Sequence, residues 1–236
     1  MGQSPRKCGP FGGDGVVMQR ETQAKFIVFE GIDGSGSSTQ AELLYQHFQR
    51  QKIPAVLSPE PSNGIIGNLV RETLRQRLRF TTDPVQLNRQ LAYLFAGDRH
   101  DHLYNEIDGV FKQLAAGIQV ITTRYYFSSL AYNANNAAEY EFIYRLNQDF
   151  PNPDLVFYCD LPVEVALERV QRRSHQEIYE TKAKLTQVRQ NYQQIFQTYP
   201  GNWQQLDATQ PPETIHQQIL QTIADYFVTA PESGSD

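Results

Sequence analysis

Cysteine is nearly absent: Cys8 and Cys159 are all that 236 residues hold, beside two methionines and one tryptophan. Two thiols so far apart make neither a disulfide framework nor a cysteine metal cluster. No apolar run approaches the ~18 residues that a membrane helix needs, so no span is expected. Positive charge is also short, with 21 Lys and Arg against 26 Asp and Glu and a formal net charge of −5. Proteins that track nucleic-acid phosphates are ordinarily basic, so the composition argues against general DNA or RNA binding. The stretch Met1–Gly15 has basic residues but no apolar leader core, so no signal peptide is expected. What remains is a globular chain, 40% hydrophobic, able to bury a substantial core in a reducing, cytoplasmic setting.

Glycines at 2, 9, 12, 13 and 15, with Pro10, break every periodicity near the start. Residues 1–24 therefore read as a disordered tail, within which Met18 is a candidate start, and 229–236 as a second, small and polar tail. One domain is expected over 25–228. Within it, Phe26-Ile27-Val28-Phe29, Ala55-Val56-Leu57, Val120-Ile121 and Leu155-Val156-Phe157-Tyr158 are apolar on both faces, as strands of a covered parallel sheet must be. Between them lie helical patterns. Ala41, Leu44, Tyr45 and Phe48 fall at i, i+3, i+4 and i+7, and so do Val163, Ala166, Leu167 and Val170. Pro211 and Pro212 suit a first helical turn, with Ile215, Ile219, Ile223 and Phe227 along one face beyond it. Such alternation predicts an α/β fold, a parallel sheet sandwiched by helices, with its ligands at the carboxyl ends of the strands.

The first strand runs into Gly31-Ile32-Asp33-Gly34-Ser35-Gly36-Ser37-Ser38-Thr39 and then a helix. Strand, glycine-rich loop and helix together make a phosphate-binding P-loop, whose backbone N–H groups and helix N-terminus cradle phosphate oxygens. Ser38 holds the hydroxyl slot that ligates Mg²⁺. Ser37 holds the slot where the pattern has lysine, and a charge-assisted hydrogen bond of that kind is worth ~1.5–3 kcal/mol. The backbone cradle survives this change, so binding is expected to persist while transfer needs a cation from elsewhere.

Further motifs follow in order: Glu60-Pro61-Ser62 with Gly64, Gly67 and then Arg71; Leu94-Phe95-Ala96-Gly97-Asp98-Arg99; Arg124-Tyr125 with Ser128-Ser129-Leu130-Ala131-Tyr132; and Asp207-Ala208. Together with the P-loop, this series resembles thymidylate kinase from about Lys25 to Phe227. The resemblance implies a P-loop kinase fold with a five-stranded sheet, a homodimer, ATP and dTMP as substrates, Mg²⁺ as cofactor and dTDP as product. It implies that Phe95 stacks on thymine and Arg99 reads its O4. On a helix the two share a face, one ring beside one planar donor fork. It implies that Tyr132 crowds the site of a ribose 2′-hydroxyl. Arg124 is placed to hold the acceptor phosphate, and Glu60 and Ser128 belong to the same substrate site. Asp33 is the candidate for orienting either the acceptor's sugar hydroxyl or a metal-bound water.

By the same resemblance, residues 172–180 form a lid over the donor phosphates. Arg169, Arg172 and Arg173 fall at i, i+3 and i+4, either as a cationic helix end or as a source of catalytic charge. Arg172 and Arg173 are the candidates to replace the P-loop lysine. Thr123 stands where the family has an aspartate near the metal, and Pro59 and Pro61 flank Glu60 where an arginine is usual, so Arg71 is the candidate substitute for holding the acceptor phosphate. The expected activity is γ-phosphate transfer from ATP to dTMP. Rival readings are a kinase for another nucleoside or nucleotide, and a paralogue that binds nucleotides without transfer.

Overall fold

The computed structural model describes residues 24–171 and 181–229. In chain order the elements are β1 (Phe26–Gly31), α1 (Ser37–Arg50), β2 (Ala55–Leu57), α2 (Ile65–Leu74), α3 (Pro84–Tyr104), α4 (Val110–Ala115) and β3 (Gln119–Thr123). Then come α5 (Tyr126–Asn133), α6 (Ala137–Asn147), β4 (Leu155–Asp160), α7 (Val163–Gln171), α8 (Lys182–Thr198), β5 (Trp203–Asp207) and α9 (Pro212–Thr229). The four strands expected from apolar runs all form. The fifth, Trp203–Asp207, has one fully buried residue, Leu206, and so carries no apolar run.

All five strands are parallel, in the order β2-β3-β1-β4-β5. β1 is central and buried along its whole length, which explains why Phe26, Ile27, Val28 and Phe29 need no polar face. The α1 stripe buries Ala41, Leu44 and Phe48 and packs on α9, which returns Ile215, Ile219 and Ile223 to the same core. A second layer joins α5 to α8 and α6, where the rings of Tyr158, Tyr192, Phe196 and Trp203 pack in series at centroid distances of 5.0–6.2 Å. α2 and α3 form a small satellite core of Val70, Leu74 and Leu91, against which Phe95 packs. The long α3 starts on Asp83, whose carboxylate accepts from the Val85 N–H at 2.9 Å, with Pro84 in the first turn.

This topology decides where chemistry can happen. The crossover from β1 goes to β2 on one side and the crossover from β3 goes to β4 on the other, so the loops after β1 and β3 open a crevice at their carboxyl ends.

Candidate active site

The loop after β1 is shaped by its glycines. Gly34 has φ +85°, and a Cβ there would lie 2.4 Å from the Ala166 carbonyl oxygen, so only glycine lets the loop pass α7. Gly31 is equally crowded, with Ser35 Oγ and Cys159 O inside 3 Å of any added Cβ. Gly36, again left-handed, opens α1 directly, and the first turn of that helix carries no acid. Its amino-terminal N–H groups therefore face the crevice with no acid in their own turn. Ser37 is half-buried there, and Ser38 and Thr39 are exposed.

Across the crevice, Arg124 follows β3 with φ +70°, a conformation that a non-glycine residue adopts only when its surroundings hold it. They do: its N–H donates to Phe29 O at 2.8 Å, and its guanidinium is held on both arms. Nη2 pairs with Asp33 Oδ1 at 2.5 Å and reaches the Tyr132 hydroxyl at 3.3 Å. Nη1 donates to Ser128 Oγ at 3.2 Å and to Gly31 O at 3.4 Å. Tyr132 closes the ring by donating to Asp33 Oδ2 at 2.9 Å and accepting from the Asp33 N–H at 3.0 Å. Burial pushes the Tyr132 hydroxyl well above its usual range, so it remains a donor at any working pH.

Glu60 and Arg99 occupy the other end. Both are almost wholly buried, and Glu60 Oε2 accepts from Arg99 Nη2 at 2.7 Å and from Nε at 2.9 Å. His102 lies 3.1 Å from the other carboxylate oxygen, and its far nitrogen lies 2.6 Å from Ser58 Oγ. Burial raises the Glu60 carboxyl, but Arg99 and His102 outweigh it and hold the group below the ordinary carboxylate range. Arg99 also donates to Asn147 Oδ1 and, at 3.3 Å, to Ser129 Oγ. With most of its five donors taken, the guanidinium is locked in plane, and a ligand meets a fixed edge. The neighbouring Ser62 is tied to Asp98 through its N–H at 2.7 Å and its hydroxyl at 2.5 Å.

A cleft of about 440 Å³ joins the two ends. Ile32, Asp33, Gly34, Gly36, Ser37, Ser38 and Thr39 line it, with Glu60, Arg71, Phe95, Arg99, Arg124, Ser128 and Tyr132 opposite. Gly31 and Ser35 are buried beneath the loop. Arg71 spends its guanidinium on the carbonyls of Pro61 and Ser62, at 2.6 and 2.5 Å, so it braces the acceptor-side loop from the cleft wall. Arg169 of α7 reaches Gly34 O at 3.4 Å. Arg172, Arg173 and the rest of 172–180 lie outside the described residues. Sequence reasoning missed Glu30, Tyr192, Asn147 and His102. Glu30 alone left a trace, as a carboxylate ending an otherwise apolar strand.

The arrangement can do three things: seat a polyphosphate on loop amides, hold a second anion on Arg124, and receive a flat ring between Phe95 and the Arg99 edge. Known proteins are similar to this chain over most of its length. A family model described as "Thymidylate kinase" matches residues 29–219. The chain is 40% identical over 207 residues to a "Putative thymidylate kinase" of Treponema pallidum (strain Nichols), covering 85% of this chain and 95% of that one. It is 36% identical over 205 residues to a "Probable thymidylate kinase" of Thermococcus kodakarensis, covering 84% and 96%. For one of Methanocaldococcus jannaschii the figures are 34% over 196 residues, covering 83% and 93%.

Proposed function

The chain belongs to the thymidylate kinase family, and we propose that it runs the family reaction in the cleft between the P-loop and Arg124. It phosphorylates dTMP to dTDP with ATP as donor. The observation that carries the site assignment is the 2.5 Å contact between Asp33 of the loop and Arg124. A donor seated on the loop amides and an acceptor phosphate seated on Arg124 are thereby brought side by side, and positioning supplies most of the rate in phosphoryl transfer.

In this reading thymine lies on Phe95 with its carbonyl toward Arg99, and Glu60 holds Arg99 in place for it. Tyr132 crowds the sugar. When the acceptor arrives, its phosphate competes with Asp33 for Arg124, and Asp33 is released toward the sugar hydroxyl. Ser128 braces this end, and Arg71 braces the loop beside Glu60. Mg²⁺ fits the residues present: Ser38 offers an exposed hydroxyl on the cleft, and this hard cation draws most of its ligands from phosphate and water. Ser38 would hold the ion, which supplies charge neutralisation on the donor phosphates when bound. Because Ser37 provides no fixed cation, Arg172 and Arg173 of the 172–180 segment supply it. The reading is completed by a homodimer acting in the cytoplasm on small molecules alone; no described helix is long and apolar enough to cross a membrane.

A coupled assay of ADP release tests this. Turnover should require dTMP and Mg²⁺ and should fall sharply when UMP or dGMP replaces dTMP. Binding of ATP and dTMP without ADP release would identify a nucleotide binder instead, and equal turnover of a purine acceptor would identify a different kinase.

A further inference from the structure

We propose that Tyr192, reaching in from α8, works with Glu30 as a positioning residue for Arg124, fixing one arm of the guanidinium while the other passes from Asp33 to the acceptor phosphate. This rests on the reading of Arg124 as the holder of that phosphate. Glu30 is fully buried at the carboxyl end of β1. Its Oε1 accepts from the Tyr125 N–H at 2.7 Å, and its Oε2 accepts from Ser128 Oγ at 2.7 Å and from the Tyr192 hydroxyl at 2.8 Å. The two hydroxyls are 2.7 Å apart, so three oxygens form a closed triangle. Arg124 Nη1 donates into this triangle at Ser128 Oγ.

The proton count explains why the triangle matters. Ser128 has two lone pairs and one proton, and where that proton goes decides how the lone pairs are aimed at Arg124. The Glu30 carboxylate takes it, and Tyr192 supplies the second proton that completes the shell of Oε2. The Tyr192 ring cannot swing away, since it lies 5.4 Å from the Tyr158 ring, 6.2 Å from Phe196 and 6.3 Å from Tyr132, centroid to centroid. α8 also grips the end of α5 through Asn191, which donates to the carbonyls of Ala131 and Ala134. The two arms of Arg124 are therefore held differently. Nη1 meets Ser128, which the buried Glu30 and Tyr192 hold from behind, whereas Nη2 meets the Asp33 carboxylate of the loop, which a phosphate can displace.

The charge on Glu30 is itself adjustable. Burial pushes its carboxyl up to about 6. Facing it are Ser128, Tyr125 and Tyr126 of the β3–α5 segment, Tyr192 of α8 and Cys159 of β4, all neutral at that pH, together with the cation Arg124. Protonated Glu30 would donate where it now accepts, and the negative charge that faces Arg124 from behind Ser128 would be lost.

Tyr192→Phe and Glu30→Gln test the proposal in the full-length protein, each checked first for a parental thermal melt. Tyr192→Phe should raise the dTMP KM about tenfold while the ATP KM stays within about twofold, tenfold corresponding to ~1.4 kcal/mol. Glu30→Gln should show the same defect at pH 8 and converge on the unmodified protein by about pH 5.5, where Glu30 is itself protonated. The titration of dTMP's own phosphate cancels in that comparison, because both proteins are read at the same pH. An unchanged dTMP KM in both variants, equal rises for both substrates, or a Glu30→Gln defect independent of pH would overturn the proposal. Arg124→Ala separates the two layers: if it leaves the dTMP KM unchanged, the underlying reading of Arg124 fails. If only Arg124→Ala raises that KM, the reading stands and the role of Tyr192 and Glu30 fails.

Discussion

Two carboxylates, Glu30 and Glu60, are each completely buried about the same crevice, and they end with opposite proton affinities. Glu60 meets a guanidinium head-on at 2.7 Å and a histidine behind it, and it is driven below the ordinary carboxylate range. Glu30 meets two hydroxyls and one backbone N–H, with its nearest cation one serine away, and it rises to about 6. Burial is the largest influence on both. A directly paired cation can outweigh it; neutral hydrogen bonds only soften it. The base end of the cleft is thus a closed ion network that holds its shape, and the phosphate end has the Arg124 guanidinium shared between Asp33 and the hydroxyl shell of Glu30.

The sharpest way to break this comparison is at Arg99. Arg99→Ala leaves Glu60 buried with only His102 beside it, and we expect a loss of ~3–5 kcal/mol in urea unfolding at pH 7.5. In the protein that remains folded, dTMP binding should weaken with ATP affinity nearly unchanged. A fall in both would make Arg99 a structural residue only. Next in size is the charge that Ser37 does not supply at the P-loop. Arg172→Ala or Arg173→Ala should cost ~10²-fold or more in kcat, with ATP binding to the open state little altered. Normal turnover in both single variants and in the double variant would remove the lid from the account.

The pH dependence of stability sharpens the comparison further. Glu30 has a folded value near 6 against 4.5 unfolded, so between these values the folded state binds more protons and stability from this group falls as pH rises, by about 2 kcal/mol in all. Glu60 runs the other way: its contribution is present above 4.5 and is lost only as pH falls through its lowered folded value. Glu30→Gln should therefore gain on the parent between pH 5 and pH 8, and Glu60→Gln should not; unfolding curves that move together would refute the assignment. The smallest expected effect is at the sugar. Tyr132→Ala should narrow the preference for dTMP over its ribose counterpart, and equal use of both sugars by the unmodified protein would remove that role from Tyr132.

Much of this was legible in residue order. Strands buried on both faces announce themselves as apolar runs, and the P-loop is contiguous from Gly31 to Thr39. Phe95 and Arg99 lie four apart on one helix and do reach one cleft. β5 was not legible from its own residues, because an edge strand with a single buried side chain lacks the pattern. Nor were the partners of the buried charges. Glu60 and Arg99 were each assigned to the substrate, whereas 39 residues apart they first satisfy one another. Tyr192 is 162 residues from Glu30, and no local spacing links a tyrosine on a late helix to the end of the first strand. Buried charge selects partners by topology, and topology emerges only when the sheet is assembled.

The most direct test titrates the two carboxylates themselves. In protein labelled with ¹³C at the glutamate carboxyls, with Glu30→Gln and Glu60→Gln used to assign the signals, the account predicts that Glu30 titrates near pH 6 and Glu60 below the ordinary carboxylate range. Saturating dTMP should then raise the Glu30 value, because the arriving phosphate brings negative charge to Arg124. If Glu60 takes up its proton first, or if Glu30 titrates as an ordinary glutamate and ignores dTMP, the contrast between a directly paired base end and a phosphate end whose carboxylate has its nearest cation one serine away is wrong.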